Sequence, residues 1–149
     1  MTKVSQVMTE NPVSCLAGDS ISSVTQQMQI HDVGAMPVVT DHQTKKLIGI
    51  VTDRDVALRV VGADRETKGT WVADVMTPNP VACHATDNID LAIDAMSMNR
   101  VRRLPAVDDL GQLVGIVSQS DVATRLHDTR KTADLVTEVS QPSSIKLPH

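Results

Sequence analysis

A nearly identical stretch of nine residues occurs twice in this chain, and this repetition limits the folds open to it. Residues 7–15 read Val-Met-Thr-Glu-Asn-Pro-Val-Ser-Cys, and residues 75–83 read Val-Met-Thr-Pro-Asn-Pro-Val-Ala-Cys, 68 positions later. The offset has shortened to 66 where Gly49 is matched by Gly115. A repeat of this length indicates one structural unit present in two copies. A unit of about 60 residues buries too little surface to be more than marginally stable alone, so the copies are expected to pack together.

The order of elements within a copy follows from the spacing of its apolar residues. A short extended piece at residues 13–15 is followed by a helix that Asp19 or Ser20 opens. The apolar residues of this helix recur every three or four positions, which places them on one face. They are Ile21, Val24 and Met28 in the first copy and Ile89, Ala92, Ile93 and Met96 in the second.

Two strands and a second helix complete each copy. Ala35–Val39 is a strand whose Pro37 should lie at an edge or outside the ladder, because proline has no N–H to donate. Residues 47–51 are predicted to form a continuous apolar strand, rich in β-branched residues, of the kind that is covered on both faces. The second copy is shorter in the polar segment between these strands, where a hairpin loop tolerates a deletion. A helix starts near Asp53, and its inward residues are predicted to be Val56, Ala57, Val60 and Val61.

The sequence therefore predicts an α/β (α+β) fold of tandem β-α-β-β-α repeats. The repeats are expected to pack face to face about a pseudo-two-fold axis, with clefts along it that suit small molecules. Residues 1–8 and 70–76 read as short lead-in segments. The predicted boundaries are 1–69 for the first repeat (core 4–61, linker 62–69), 70–130 for the second, and 131–149 for a C-terminal helix (131–140) and a frayed tail.

Composition and charge narrow the function. The net charge is −4 and Trp71 is the only aromatic residue, so a basic stripe with interleaved aromatics is missing and nucleic-acid binding is not expected. No apolar run approaches the roughly 20 residues that span a bilayer, and the first residues do not resemble a signal peptide. We expect a cytoplasmic protein with two reduced thiols and no membrane partner. Enzyme motifs such as a glycine-rich phosphate loop or a nucleophile elbow are missing, so catalysis is not expected.

The repeated motifs resemble the CBS (cystathionine-beta-synthase) domain, whose tandem pairs are called Bateman modules. The matching features are Val-Met-Thr-x-Asn-Pro-Val at each start, Met-Pro-Val or Leu-Pro-Ala in a strand, and Gly-Ile-Val-[Thr/Ser]-x-x-Asp at each end. The resemblance covers about residues 4–127 and suggests a stand-alone pair. It implies a regulatory protein that binds AMP, ADP, ATP, or sometimes NAD or S-adenosylmethionine, in the clefts between copies. It also implies a homodimer, with no obligatory cofactor and with a regulated protein partner yet to be identified.

The end of each strand-to-helix motif carries the first candidate site residues. Thr52 with Asp55, and Ser118 with Asp121, each fit a capping box, which needs no ligand. The same groups suit a nucleotide: the N–H groups at a helix start and the hydroxyl suit a phosphate, and the carboxylate can accept both hydroxyls of a ribose. The resemblance assigns the matching positions these roles. Both interpretations can hold for one residue.

The remaining candidates would hold the base and the phosphates. An apolar slot for adenine is predicted from Val13, Cys15, Ala35, Met36 and Pro37 in one copy and from Val81, Cys83, Arg103, Leu104 and Pro105 in the other. The alternative is that these residues are ordinary core strands. Arg102, Arg103 and Arg54 are the candidate phosphate ligands, and the second copy is expected to bind phosphate better. The alternative for Arg102 and Arg103 is a solvated surface position or an ion pair with Asp108 or Asp109.

Two other functions stay open at this stage. The chain could be a scaffold or interaction domain that has kept the fold without a ligand. It could also respond to metal or oxidants through Cys15 and Cys83, although their spacing matches no zinc pattern and small buried side chains explain them more simply. His31 and His42 are expected at the surface.

Overall fold

The computed structural model describes residues 1–125, and their contacts divide into two units. The continuous unit is Pro12–Pro80, and the discontinuous unit combines Met1–Asn11 with the chain from Val81 onward. Each unit contains one four-stranded sheet with helices, which confirms the predicted mixed α and β fold with two copies of one element order. The predicted C-terminal helix (131–140) and tail (143–149) lie outside the described residues. Within the described residues, no helix is long and apolar enough to cross a membrane.

The continuous unit has the order β-α-β-β-α, followed by one further strand. The elements are β2 (Cys15–Leu16), α1 (Ile21–His31), β3 (Ala35–Val39), β4 (Leu47–Thr52), α2 (Asp53–Val56) and β5 (Thr77–Pro78). The sheet order is β2-β3-β4-β5, with β2 parallel to β3 and the other pairs antiparallel.

The discontinuous unit repeats this arrangement. The elements are β1 (Thr9–Glu10), β6 (Cys83–His84), α3 (Ile89–Asn99), β7 (Arg103–Val107), β8 (Leu113–Ser118) and α4 (Gln119–Arg125). The sheet order is β1-β8-β7-β6, with β6 parallel to β7 and the other pairs antiparallel.

The cores are formed by the faces that the sequence predicts. The predicted apolar residues of α1 and α3 are all buried, and each helix starts where a side chain caps it. The hydroxyl oxygen of Ser20 accepts a hydrogen bond from the N–H of Ser23 at 3.1 Å. This satisfies an N–H that has no partner within the helix. The polar hairpin between β3 and β4 is also confirmed, and in it the Asp41 carboxylate accepts from the N–H groups of Gln43 and Thr44.

The helix after β4 departs from the prediction. α-Helical bonding ends at Val56, and residues Ala57–Val61 form a π-helical turn in which the N–H of Gly62 bonds to the Ala57 carbonyl at 2.8 Å. The wider turn keeps Val56 and Val60 in the core but turns Ala57 and Val61 outward, so the prediction of these two as inward residues is wrong. The spacing of apolar residues in the sequence does not reveal where the helix widens into a π turn.

Two strand predictions need adjustment. β4 is not equally covered on both faces, since Gly49 and Val51 are buried while Leu47, Ile48 and Ile50 are half-buried. Pro37 is in a strand with neighbours on both sides, but β2 pairs only with Val38 and Val39. Pro37 therefore lies beyond the end of β2, at a local edge where no partner strand needs its N–H.

Each lead-in segment packs against the other copy of the repeat, not against the copy that directly follows it in the chain. We call Met1–Asn11 the first lead-in segment and residues 70–80 the second lead-in segment. Strand β1 of the first extends the sheet of the discontinuous unit beside β8, and strand β5 of the second extends the other sheet beside β4. Contacts therefore group the chain differently from the sequence repeat, which joins each lead-in segment to the residues that follow it.

Candidate functional site

The corner between β8 and α4 forms the predicted capping box. The hydroxyl oxygen of Ser118 accepts from the N–H of Asp121 at 3.0 Å, and Oδ2 of Asp121 accepts from the N–H of Ser118 at 3.1 Å. Each group satisfies an N–H at the corner, so the local structural interpretation is confirmed. Oδ1 of Asp121 makes no hydrogen bond or ion pair with any described residue. One carboxylate oxygen of Asp121 therefore has no donor among residues 1–125.

The start of β7 lies directly beside this corner. The N–H of Gln119 donates to the carbonyl of Arg102 at 2.8 Å, and Arg103 is paired with Ser118 across the two strands. Leu104 and Pro105 are buried further along β7, opposite Val117 and Ile116. The unit thus brings six of the predicted residues together on the paired central strands β7 and β8 and at the corner that follows β8: Arg102, Arg103, Leu104, Pro105, Ser118 and Asp121.

The predicted alternative partners of the two arginines are not used. Arg102 and Arg103 are half-buried, and within residues 1–125 neither forms an ion pair with Asp108 or Asp109. The Asp108 carboxylate instead accepts from the N–H groups of Leu110 and Gln112, both at 2.9 Å, and holds the β7–β8 turn. The two positive charges beside the Ser118–Asp121 corner therefore have no carboxylate partner among the described residues.

The corner between β4 and α2 has the same geometry, but no arginine lies at the start of its adjoining strand β3. Thr52 Oγ1 accepts from the N–H of Asp55 at 3.1 Å, and Oδ2 of Asp55 accepts from the N–H of Thr52 at 3.0 Å. The N–H of Asp53 donates to the carbonyl of Gly34 at 2.9 Å, the equivalent of the Gln119–Arg102 bond. Ala35 is paired with Thr52 and is buried with Met36 and Pro37. Gly34 and Ala35 replace the two arginines, and Arg54, the predicted phosphate ligand of this corner, is exposed.

A matched pair of arginines was missed by the sequence reasoning. Arg59 donates from Nη1 to the carbonyl of Val75 at 2.9 Å, and its Nε lies 3.8 Å from Oδ1 of Asp55. Arg125 donates from Nη1 to the carbonyls of Val7 and Met8, both at 2.9 Å. Each arginine lies four residues after the corner aspartate and holds the lead-in segment of its unit. The available signal was an arginine at the same position of both repeats, 66 residues apart.

The two valines predicted for the adenine slots differ in exposure. Val13 is half-buried and packs against the core of the continuous unit, whereas Val81 is 41% exposed just before β6. The core-strand alternative therefore accounts in part for Val13 but not for Val81.

The cysteines are buried parts of two strands. Cys15 pairs with Val38 and Cys83 with Ala106, and neither forms a disulfide. Burial, with Asp19 near one thiol and Asp87 near the other, raises the pKa of both Cys15 and Cys83 to about 12. Both thiols stay protonated at neutral pH, which makes them poor nucleophiles and poor metal ligands. Within residues 1–125, no three His, Cys, Asp or Glu side chains cluster as a metal site would require.

Comparison of the sequence with known proteins identifies one family. The family model described as "CBS domain" matches residues 4–62 and 72–128. The CBS domain-containing protein YhcV of Bacillus subtilis (strain 168) is 32% identical over 140 residues, which is 94% of this chain and 96% of that protein.

Three solved structures of about a quarter sequence identity share the fold. CBSX2 in complex with AMP has 26% identity and a TM-score of 0.76, covering 87% of this chain and 99% of that one. The CBS domain pair of protein MJ0100 in complex with 5'-methylthioadenosine and S-adenosyl-L-methionine has 27% identity and a TM-score of 0.73, covering 83% and 94%. Hypoxic Response Protein I with two coordinated zinc ions has 26% identity and a TM-score of 0.76, covering 84% and 99%. The chain belongs to the CBS domain family, as a pair of CBS domains.

Proposed function

We propose that this protein is a regulatory sensor that binds an adenosine-containing ligand of the AMP, ADP or ATP type at its strand-to-helix corners. The observation that carries the proposal is the Ser118–Asp121 corner, where Oδ1 of the aspartate and the side chains of Arg102 and Arg103 lack a partner among the described residues. A carboxylate oxygen suits a ribose hydroxyl, and guanidinium groups suit a phosphate. Solved CBS pairs that contain AMP, or methylthioadenosine with S-adenosylmethionine, support the adenosine class.

The two corners should differ in what they prefer. Asp55 has Arg59 near its second oxygen, and the adjoining strand offers Gly34 and Ala35 in place of arginines. We therefore assign the phosphorylated ligand to the Ser118–Asp121 corner and a weaker or uncharged adenosine ligand to the Thr52–Asp55 corner. Ligand binding changes the state of the protein only if its affinity differs between two conformations or two partner-bound forms.

Calorimetry with AMP, ADP, ATP, NAD, S-adenosylmethionine and adenosine tests the proposal. At least one should bind, and Asp121→Asn should weaken the phosphorylated ligand about tenfold to a hundredfold, because a charge-assisted hydrogen bond is worth ~1.5–3 kcal/mol. Asp94→Asn, an exposed position on α3, is the matched control and should leave binding unchanged. The unliganded melting temperature of each variant separates a lost ligand contact from a lost helix cap.

The arginines are tested by comparing ligands rather than variants alone. The double variant Arg102→Gln/Arg103→Gln should weaken AMP, ADP and ATP while leaving adenosine unaffected, because only the phosphates gain from the positive charge. Lys68→Gln, which removes an exposed charge in the linker, controls for net charge. An equal loss for adenosine and for its phosphates would remove the arginines from the proposed site.

Other properties of the sensor belong to the same proposal. A homodimer, a regulated protein partner and a cytoplasmic location remain predictions from the sequence and the resemblance, and no reaction is assigned to the chain. Sedimentation with and without the best ligand tests the homodimer.

Two outcomes would favour the alternative functions. If no adenosine compound binds, the result favours the scaffold or interaction domain. A melting temperature that responds only to zinc or oxidant, and no longer responds in Cys15→Ser/Cys83→Ser, would favour the metal or redox alternative.

A further inference from the structure

The first lead-in segment lies in a groove of residues 81–125 as a bound peptide would. Its backbone bonds to the groove along its length: the carbonyl of Thr2 accepts from Ile89 at 2.8 Å, and the N–H of Val4 donates to Asp87 at 2.9 Å. Further on, Thr9 pairs with Ile116 as strand β1, and the N–H of Asn11 donates to Val114 at 3.2 Å. This is addition of a strand to a sheet edge, a common way of binding extended peptides.

The side chains of this segment complete the core of the discontinuous unit. Val4 and Val7 are fully buried, and Met8 is nearly so. The sulfur of Met8 packs against the backbone of Gly115, where any side chain would collide with it. Arg125 closes the groove by donating to two carbonyls of the segment, those of Val7 and Met8. Backbone bonds supply affinity in this mode, and the side-chain pockets supply specificity.

The segment is joined to its groove only through the other unit. Residues 12–80, which form the continuous unit, separate Met1–Asn11 from residue 81. Local chain connectivity therefore does not hold the segment in place, and its non-covalent contacts have to do so. The segment crosses out of the unit at Asn11, which has a left-handed backbone (φ 47°), followed by Pro12.

The second lead-in segment shows what such a groove accepts. It lies in the equivalent groove of the continuous unit with equivalent bonds, including Ile21 N–H to Thr70 and Val72 N–H to Asp19, both at 2.9 Å. The two segments share the pattern Val-x-x-Val-Met-Thr-x-Asn and differ at the intervening positions. The shared valines are buried in both units. The two occupied grooves thus define one recognition pattern.

We propose that the groove of the discontinuous unit is a peptide site for this pattern, and that the first lead-in segment of a second copy of this chain can fill it. Every copy carries a segment that already fits, so no other partner has to be assumed. The chain's own segment is covalently linked to the groove, so it competes with the segment of a second copy at a high effective concentration. Exchange therefore needs the segment to be released first, as in partial unfolding or when one segment is defective.

Complementation between two full-length variants tests the proposal. Met8→Asp damages the segment by placing a charge in an apolar pocket and leaves the groove intact. Gly115→Val damages the groove and leaves the segment intact. The two variants are refolded together from urea. We expect a heterodimer by sedimentation, with a melting transition at the temperature of the unmodified chain that neither variant shows alone.

The control is a mixture of Met8→Asp with Val7→Asp, in which both partners have a defective segment and no rescue is expected. A peptide of residues 1–11 added to Met8→Asp measures the groove separately, and it remains informative if that variant folds only with the peptide. Rescue by the second copy supports the whole proposal. Rescue by the peptide alone overturns the assignment of the second copy as partner, and rescue by neither overturns the peptide site.

Discussion

Gly115→Ala is the substitution whose consequence the structure defines most sharply. An added Cβ would collide with the sulfur of Met8, and it would lie 2.8 Å from Cγ of Met8 and 3.0 Å from the carbonyl oxygen of Thr9. Met8 is nearly buried and Thr9 belongs to strand β1, so neither can move freely. Overpacking of this kind costs ~1–3 kcal/mol. Alanine also lowers the entropy of the unfolded chain, which returns ~0.4–1 kcal/mol. We expect a net loss of about 1–2 kcal/mol in the free energy of unfolding.

Urea unfolding followed by far-UV circular dichroism measures this loss. Trp71 fluorescence is less suitable because that residue lies in the continuous unit. Gly18→Ala is the matched control, since nothing lies within 4 Å of its added Cβ, and it should be neutral or slightly stabilising. The double variant Met8→Ala/Gly115→Ala should lose about 1 kcal/mol less than the sum of the single variants, because the collision disappears with the long side chain. Additive losses, or an equal loss for Gly18→Ala, would refute the packing argument.

Three further predictions concern the caps, the arginines and the thiols. Thr52→Ala and Ser118→Ala should each lower the free energy of unfolding by about 1 kcal/mol in urea titrations, whereas the exposed Thr86→Ala should not. Arg125→Gln should cost about 1 kcal/mol more than Arg59→Gln in the same assay, because it loses two hydrogen bonds to carbonyls instead of one, while the partly exposed Arg59–Asp55 ion pair at 3.8 Å adds little. The pKa of Cys15 and of Cys83 is raised from 9.0 to about 12 in the folded state, so the native state holds the thiol protons more tightly than the unfolded chain. Their contribution to stability should be full below pH 9 and decline as pH rises from 9 towards 12, which a comparison with Cys15→Ala/Cys83→Ala would detect; equal pH profiles would contradict it.

The parts of the fold that the sequence predicts depend on neighbouring residues. The cap at Ser20 and the capping boxes at Thr52 and Ser118 were predictable because both partners lie within three positions. The apolar stripes of α1 and α3 were predictable because helical spacing places them on one face. Which residues of the helix after β4 face the core was not predictable, because the π turn at Ala57–Val61 depends on packing beyond the segment.

The candidate site likewise has parts that local sequence predicts and parts that depend on long-range contacts. The corners could be found from local motifs, and the position of Arg102 and Arg103 beside one of them followed from pairing consecutive strands. The contacts of Arg125 with Val7 and Met8 span 118 and 117 residues, and periodicity does not reveal which groups such a long-range hydrogen bond will join. The packing of each lead-in segment against the other copy was missed for the same reason.

The reciprocal placement of the lead-in segments bears on how such a chain could have arisen. In a shorter ancestor with one copy, the segment would have no second copy of its own chain to bind, and the matching groove would lie on a neighbouring molecule. Two such molecules would each complete the other, and joining their genes end to end would convert that mutual pair into one polypeptide. The present chain would correspond to such a pair joined end to end, and the duplication would have needed no new contact between segment and groove.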